Sequence, residues 1–271
     1  MAYKSIILIL ETDDSSERLI QQAMRLAAAW KAHVTGHHPA FLPLSYAMMD
    51  SLPDAGFVEA ATERWEQTDR AMAQRFQTAA QSAGVAAEWL LDTSVNEAGA
   101  LGVARSADLV VVGRQRSGGG SDLVNTLVHD CGRPVLVLPD SGDPGGEFRR
   151  VAVGWNGSRQ AARAVFDSLP LLKQAETVEL LIVNSDAAEG QPDKEGQAIQ
   201  ATLLRHGVKV ALTVLSGDGR TEDQILRHAN DKKTDLLVLG AYGGSWLRDV
   251  LFGGITEGVL DKTRIATFLS H

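Results

Sequence analysis

The chain is 271 residues long, 44% hydrophobic and carries a formal net charge of -8, enough apolar content for one large core or two smaller ones. The acidic balance argues against general nucleic-acid binding, which draws on clustered Lys and Arg. The single cysteine, Cys131, offers neither an internal disulfide nor a thiolate metal cluster and suits a reducing cytoplasm, while no stretch approaches the twenty or so uncharged apolar residues of a membrane span.

The first apolar run meets Glu11, Thr12 and Asp13 too soon for a signal segment, so export is not expected. YKSIILILETDDSSERLIQQAMRLAAAW joins that run to a segment with Leu19, Ile20, Ala23, Leu26, Ala27 and Trp30 on one helical face, which predicts strand, loop, helix. His37 and His38 follow the second predicted strand. Neighbours on an extended chain point to opposite sides and no third ligand is evident, so a metal site is not expected there. FLPLSYAMMDSLPDAGFV, Phe41 to Val58, is richer in apolar residues than its later counterpart SDAAEGQPDKEG; it is a candidate lid or interface, or a loop packed on its own domain. SADLVVVG sets an Asp before a wholly apolar strand closed by Gly113, a pattern that fits a parallel sheet buried on both faces. The following SGGGSD, Ser117 to Asp122, superficially resembles the phosphate loop of ATP pyrophosphatases. That loop belongs after the first strand, whereas this segment follows the fourth, and a flexible Gly-rich turn is the simpler account.

PDSGDPGGEFRR, Pro139 to Arg150, is a linker by composition. It places a boundary near Gly145 and two similar domains at 1–144 and 145–271. FRRVAVGWNGSRQAARAVFDSLPLLKQA then restarts the opening plan at an offset of 145, with Val151 to Val153 as strand and Ala162, Val165, Phe166 and Leu169 as the helical stripe. The second half reads as strands at 151–155, 178–183, 208–214, 235–240 and 264–269, and helices at 159–174, 194–206, 220–231 and 254–262. Such alternation predicts an α/β fold of two similar doubly wound domains, each a five-stranded parallel sheet flanked by helices. Ligands in these sheets collect at the carboxyl ends of the strands where strand order reverses, which directs attention to the loops after the first and fourth strands.

After the fourth strand of the second half comes GAYGGSWLRDVLFGGIT, with Gly240, Gly243 and Gly253 in a G-x2-G-x9-G spacing, then Gly254, Ile255 and Thr256 opening a helix. Glycines let a ligand approach the backbone, and a helix start offers unpaired N–H groups to an anion. The same glycines could instead turn the chain and cap the preceding segment. No Ser-His-Asp or Cys-His arrangement is evident among the His residues, so nothing nominates a nucleophile.

VAVGWNGS, TDLLVLGAYGGSWLRD and LFGGIT, in this order and spacing, resemble the universal stress protein family, and the resemblance extends over both halves as a tandem two-domain member. It implies a Rossmann-like fold of the adenine nucleotide alpha hydrolase type and a stress-response protein binding ATP or another adenine nucleotide, with Mg2+ as an accompanying ion. Carried over position by position, Gly240 and Gly243 shape the loop, the backbone N–H groups of Gly253, Gly254 and Ile255 meet phosphates, and Thr256 caps the helix or touches a phosphate oxygen. Gly154, Trp155 and Asn156 match the turn that contacts adenosine, and Val183 matches the residue lining the adenine pocket. Arg248 is a candidate charge partner for phosphate, or an ordinary solvated arginine. The resemblance also implies an intramolecular pseudo-dimer with Val135–Leu138 and Ile265–Leu269 near the contact, and allows a further homodimer with unknown protein partners.

This chain departs from the family pattern twice. Gly254 stands where a hydroxyl residue is expected, removing a donor worth about 1 kcal/mol. Asn156 stands where Asp is usual, so the turn brings no charge toward a metal. In the first half, Gly113 to Arg133 spans 20 positions against 24 from Gly240 to Arg264, which sets Asp122, Leu123 and Asn125 opposite Gly253, Gly254 and Thr256. A carboxylate at a phosphate position opposes binding, and Arg116 stands where the second glycine belongs, so the first site reads as degenerate. The alternatives to a nucleotide-binding module are a nucleotide-free structural or interaction protein and a slow ATPase.

Overall fold

The computed structural model describes residues 3–11, 16–40, 55–91, 97–114, 123–139, 147–183, 194–216, 219–241, 259 and 262–271. In the first half the order is β1 (Ser5–Ile9), α1 (Ser16–Trp30), β2 (His33–His37), α2 (Ala55–Ala83), β3 (Ala87–Leu90), α3 (Glu97–Ala104), β4 (Leu109–Gly113), α4 (Leu123–Asp130) and β5 (Val135–Leu138). The second half follows with β6 (Arg150–Gly154), α5 (Arg159–Asp167), α6 (Leu169–Leu172), β7 (Thr177–Val183), α7 (Lys194–Arg205), β8 (Val210–Leu215), α8 (Thr221–Asp231), β9 (Leu236–Gly240) and β10 (Ala266–Ser270). The expected strands of the second half lie within about two residues of the observed ones, and the helix expected at 254–262 falls mostly outside the described residues. The boundary at Gly145 lies outside them as well.

All strands share one sheet in the order β3-β2-β1-β4-β5-β10-β9-β6-β7-β8. Each half is internally parallel, and its strands take the same order counted from its own first strand. The two last strands meet antiparallel, Thr267 opposite Val137, Phe268 opposite Leu136 and Leu269 opposite Val135, where the resemblance had placed the contact between halves. Side chains cross the junction too. The Tyr3 hydroxyl donates to Asp167 O at 2.6 Å, Trp30 Nε1 to Gln174 Oε1 at 3.3 Å, and Arg114 Nη1 to Thr263 O at 2.6 Å. Burial, with the Asp167 and Asp108 carboxylates adding to it, holds the Tyr3 phenol well above its ordinary pKa, so the hydroxyl stays a donor.

The wholly apolar strands bury both faces, and each face carries one apolar cluster drawn from both halves. One holds Leu8, Val111, Leu136, Val153, Val238 and Phe268; the other holds Ile9, Val112, Val137, Leu237, Leu239 and Leu269. The Asp that precedes β4 and β9 has a structural task in each half. Asp108 Oδ2 accepts from Lys4 N at 2.7 Å and Ser5 N at 3.0 Å, while the Asp235 carboxylate accepts from Arg149 N and Arg150 N at 3.0 Å. Each carboxylate thus ties the fourth strand of its half to the start of the first.

Charge-assisted bonds of this kind are worth about 2 kcal/mol, so Asp108→Ala and Asp235→Ala should each lower stability by that order in chemical denaturation. Burial pushes the Asp235 carboxyl above its ordinary pKa against the opposing Arg150 and Arg149 N–H groups. A raised folded-state pKa favours the protonated form, so this group's contribution is largest at low pH and is lost as pH rises through the folded value. Asp235→Asn, which keeps one acceptor without the charge, should therefore be milder than Ala and should remove that pH dependence above the ordinary aspartate pKa.

The expected helix at 159–174 is two. Pro170 in the first turn of α6 lacks an N–H and its ring crowds the preceding turn, so α5 ends at buried Ser168. The inward face of α5 also differs from the expected stripe. Ala161, Ala164 and Val165 are buried, Ala162 and Leu169 only partly so, and Phe166 is 45% exposed. Small residues point inward because the helix lies very close to the sheet. In α1 the expected stripe, Leu19 to Trp30, is buried throughout.

Candidate binding crevice at the carboxyl edge

Strand order reverses between β9 and β6, which are neighbours with Val151 opposite Leu236 and Val153 opposite Val238. Their carboxyl ends, and that of β7 beside β6, bring together five of the expected site residues: Gly154, Trp155, Asn156, Val183 and Gly240. Gly154 lies opposite Leu181, and Trp155 N continues the ladder to Leu181 O at 2.9 Å, so Val183 stands level with Asn156. The side chain of Val183 packs with the cluster on the α8 face, whereas Trp155 belongs to the cluster on the α5 face. Gly243, Arg248, Gly253, Gly254, Ile255 and Thr256 lie outside the described residues. Beyond them, Val259 is fully buried and its carbonyl accepts from Thr263 N at 2.8 Å.

The turn after β6 is built by its own side chains. Asn156 Oδ1 accepts from Ser158 N at 3.1 Å, and Ser158 Oγ caps α5 by accepting from Ala161 N at 3.1 Å. Gly157 has φ +72°, and a Cβ there would lie 2.5 Å from Glu195 Oε2. Sequence reasoning missed Gly157, Ser158 and Glu195. The run Asn-Gly-Ser before a helix signalled the first two; Glu195, thirty-eight residues past the turn, had no local signal.

Gly240 is a packing glycine. A Cβ there would meet the backbone N of Ala161 and approach Gln160 C to 2.5 Å and Ala161 Cα to 2.8 Å. At Gly113, the equivalent in the first half, the nearest atom is the flexible tip of Leu19 at 3.2 Å. The α5 N-terminus therefore sits tightly over the end of β9, with no such approach by α1. Trp155 is 9% exposed, and its indole Nε1 is buried with no hydrogen-bond partner among the described residues. A buried donor left unmade is costly and asks for an acceptor. The indole N–H of Trp155, without a partner among the described residues, would suit an acceptor oxygen or ring nitrogen of a small polar ligand.

The corresponding edge of the first half is filled differently. His38 is buried, stacks on Trp65 at 5.6 Å with rings 16° apart, and has Nδ1 3.7 Å from Asp69 Oδ1. Trp89 Nε1 donates to Asp69 Oδ1 at 3.2 Å, and Trp65 Nε1 to Pro39 O at 3.3 Å, where Pro39 is the positional equivalent of Val183. Burial raises the Asp69 carboxyl, opposed by the Trp89 hydrogen bond and by Arg70. Leu123, opposite Gly254, is fully buried, while Arg116 and Asp122 lie outside the described residues. Among the described residues no group of three or more His, Cys, Asp or Glu could hold a metal ion. Cys131 is buried, its thiol pKa raised by that burial. No described helix is long and apolar enough to cross a membrane.

A parallel α/β sheet with glycines and a capped helix at its switch point defines a doubly wound protein, a class whose ligands collect at the carboxyl edge of the sheet. Within that class, residues 147–269, which make up the second half of the chain, match the universal stress protein family. A universal stress protein from Synechocystis sp. is 34% identical over 82 residues, covering 28% of this chain and 28% of that protein. The aligned region thus spans little more than a quarter of that relative. A universal stress protein from Archaeoglobus fulgidus superposes with a TM-score of 0.77 at 15% identity, covering 98% of this chain and 95% of its own. A Pseudomonas aeruginosa protein assigned to the same family gives 0.57 at 15% identity, over 99% and 93%. These two share the fold along nearly the whole chain.

Proposed function

We propose that the second half binds ATP or a related adenine nucleotide, with Mg2+ able to accompany it, and that the protein serves as a binding or signalling module in a cytoplasmic stress response. The adenosine would lie along Gly154, Trp155, Asn156 and Val183, and the phosphates would meet the loop from Gly240 and Gly243 to Gly253, Gly254, Ile255 and Thr256, with Arg248 as a charge partner. The observation that carries this reading is the switch point itself, where the β6 turn stands beside the start of the glycine loop. The unpartnered Trp155 indole in the same place supports it. In this reading the chain is two domains, 1–144 and 145–271, and the pocket belongs to the second alone, because the first half fills its equivalent edge with Trp65, His38 and Leu123.

Ligand binding would bias the β6 turn and the glycine loop toward one arrangement and so change the surface available to partners. Isothermal titration of the full chain with ATP and Mg2+ tests this. A saturable heat with a matching rise in melting temperature is expected. No heat and no thermal shift at millimolar ATP would leave a nucleotide-free interaction protein as the account.

A further inference from the structure

We propose that Glu195 selects and orients the sugar of the bound nucleotide, its carboxylate accepting hydrogen bonds from the vicinal hydroxyls of a ribose; this rests on the adenine-nucleotide reading above. The turn after β6 spends its own acceptors internally, Asn156 Oδ1 on Ser158 N and Ser158 Oγ on Ala161 N. A vicinal diol brings two O–H donors, and the two oxygens of one carboxylate match them. Glu195 is the carboxylate that reaches the turn. It lies in the first turn of α7, and its Oε2 comes within 2.5 Å of the point where a Cβ on Gly157 would stand. Glu195 is exposed and has no hydrogen bond or ion pair among the described residues, so it is available to a ligand.

Charge also sets direction. A carboxylate at the β6 turn repels phosphates, leaving the turn to the sugar and sending the phosphates to the glycine-loop end. The negative charge that Asn156 does not bring to this turn is thereby supplied from another helix. Glycine at 157 allows Glu195 this close to the turn, because any Cβ there would collide with its carboxylate, and the positive φ suits glycine as well.

The test is isothermal titration of the full chain, and of Glu195→Ala and Glu195→Gln, with ATP, 2′-deoxy-ATP and tripolyphosphate. The wild type should prefer ATP to 2′-deoxy-ATP by about tenfold, the size of one charge-assisted hydrogen bond. Glu195→Ala should lose that preference by weakening ATP to the level of the deoxy form, and Glu195→Gln should fall between. Tripolyphosphate should bind Glu195→Ala no more weakly than wild type, and all three proteins should melt alike without ligand. If ATP binds but the wild type ignores the 2′-hydroxyl, or Glu195→Ala keeps the full preference, the assignment of Glu195 fails and the nucleotide reading stands. If ATP does not bind the wild type, both fail together.

Discussion

Gly240→Val is expected to leave little folded protein. The space where its Cβ would stand is filled by backbone of α5, namely Ala161 N, Gln160 C and Ala161 Cα, and backbone has no rotamer to escape into. To admit even Ala, the α5 N-terminus must lift from β9, straining the Ser158 cap and loosening Ala161, Ala164 and Val165 from the core. Overpacking against movable side chains costs about 1–3 kcal/mol, and against fixed backbone the upper end or more is expected. Gly154→Ala is the control, since its nearest atom is the tip of Leu239 at 2.8 Å, which can move. Melting followed by circular dichroism should show Gly154→Ala folded, with a loss of about 1 kcal/mol, and Gly240→Val largely unfolded or insoluble. A well-folded Gly240→Val would show that the tight approach of α5 is not required.

Phe268→Ala should cost about 3–5 kcal/mol, the range for emptying a fully buried phenylalanine site. Phe268 has no exposed surface, lies opposite Leu136 across the antiparallel junction, and belongs to an apolar cluster built from both halves. The cavity therefore opens at the one place where the halves share both ladder and core. Denaturant unfolding should show the loss in both halves, read by Trp30, Trp65 and Trp89 in the first half and by Trp155 and Trp246 in the second. Loss confined to one half would mean that the halves fold independently of the junction.

Much of this arrangement is legible in the sequence because its signals are local or repeated. The restart at an offset of 145, the Asp before each wholly apolar strand and the composition of 139–150 mark the two halves and the alternation of strands and helices along each. The Asp repeat is visible without its reason, which needs Arg149, Arg150, Lys4 and Ser5 brought more than eighty residues along the chain to meet it. Pro170 marks the break that divides the helix expected at 159–174. The inward face of α5 was misread because large apolar residues outweigh alanines in a periodic pattern, whereas the close approach at Gly240 demands alanine.

His37 and His38 show the same limit. Both are buried, and the partner of His38, Asp69, lies on a helix thirty-one residues away. Of the apolar stretch from Phe41 to Val58, only 55–58 is described, and there it begins α2, with Phe57 exposed. In the crevice, glycine spacing identifies Gly240, but only the fold reveals that Gly240 serves packing and that Glu195 stands over the turn.

Photoaffinity labelling with 8-azido-ATP, followed by peptide mapping, tests the central claim most directly, because it reports binding and location together. The account predicts label confined to peptides of residues 147–269 around Trp155, Val183 or the glycine loop, and suppressed by excess ATP. Label in the first half near His38 or Leu123, or no ATP-protected label at all, would contradict it.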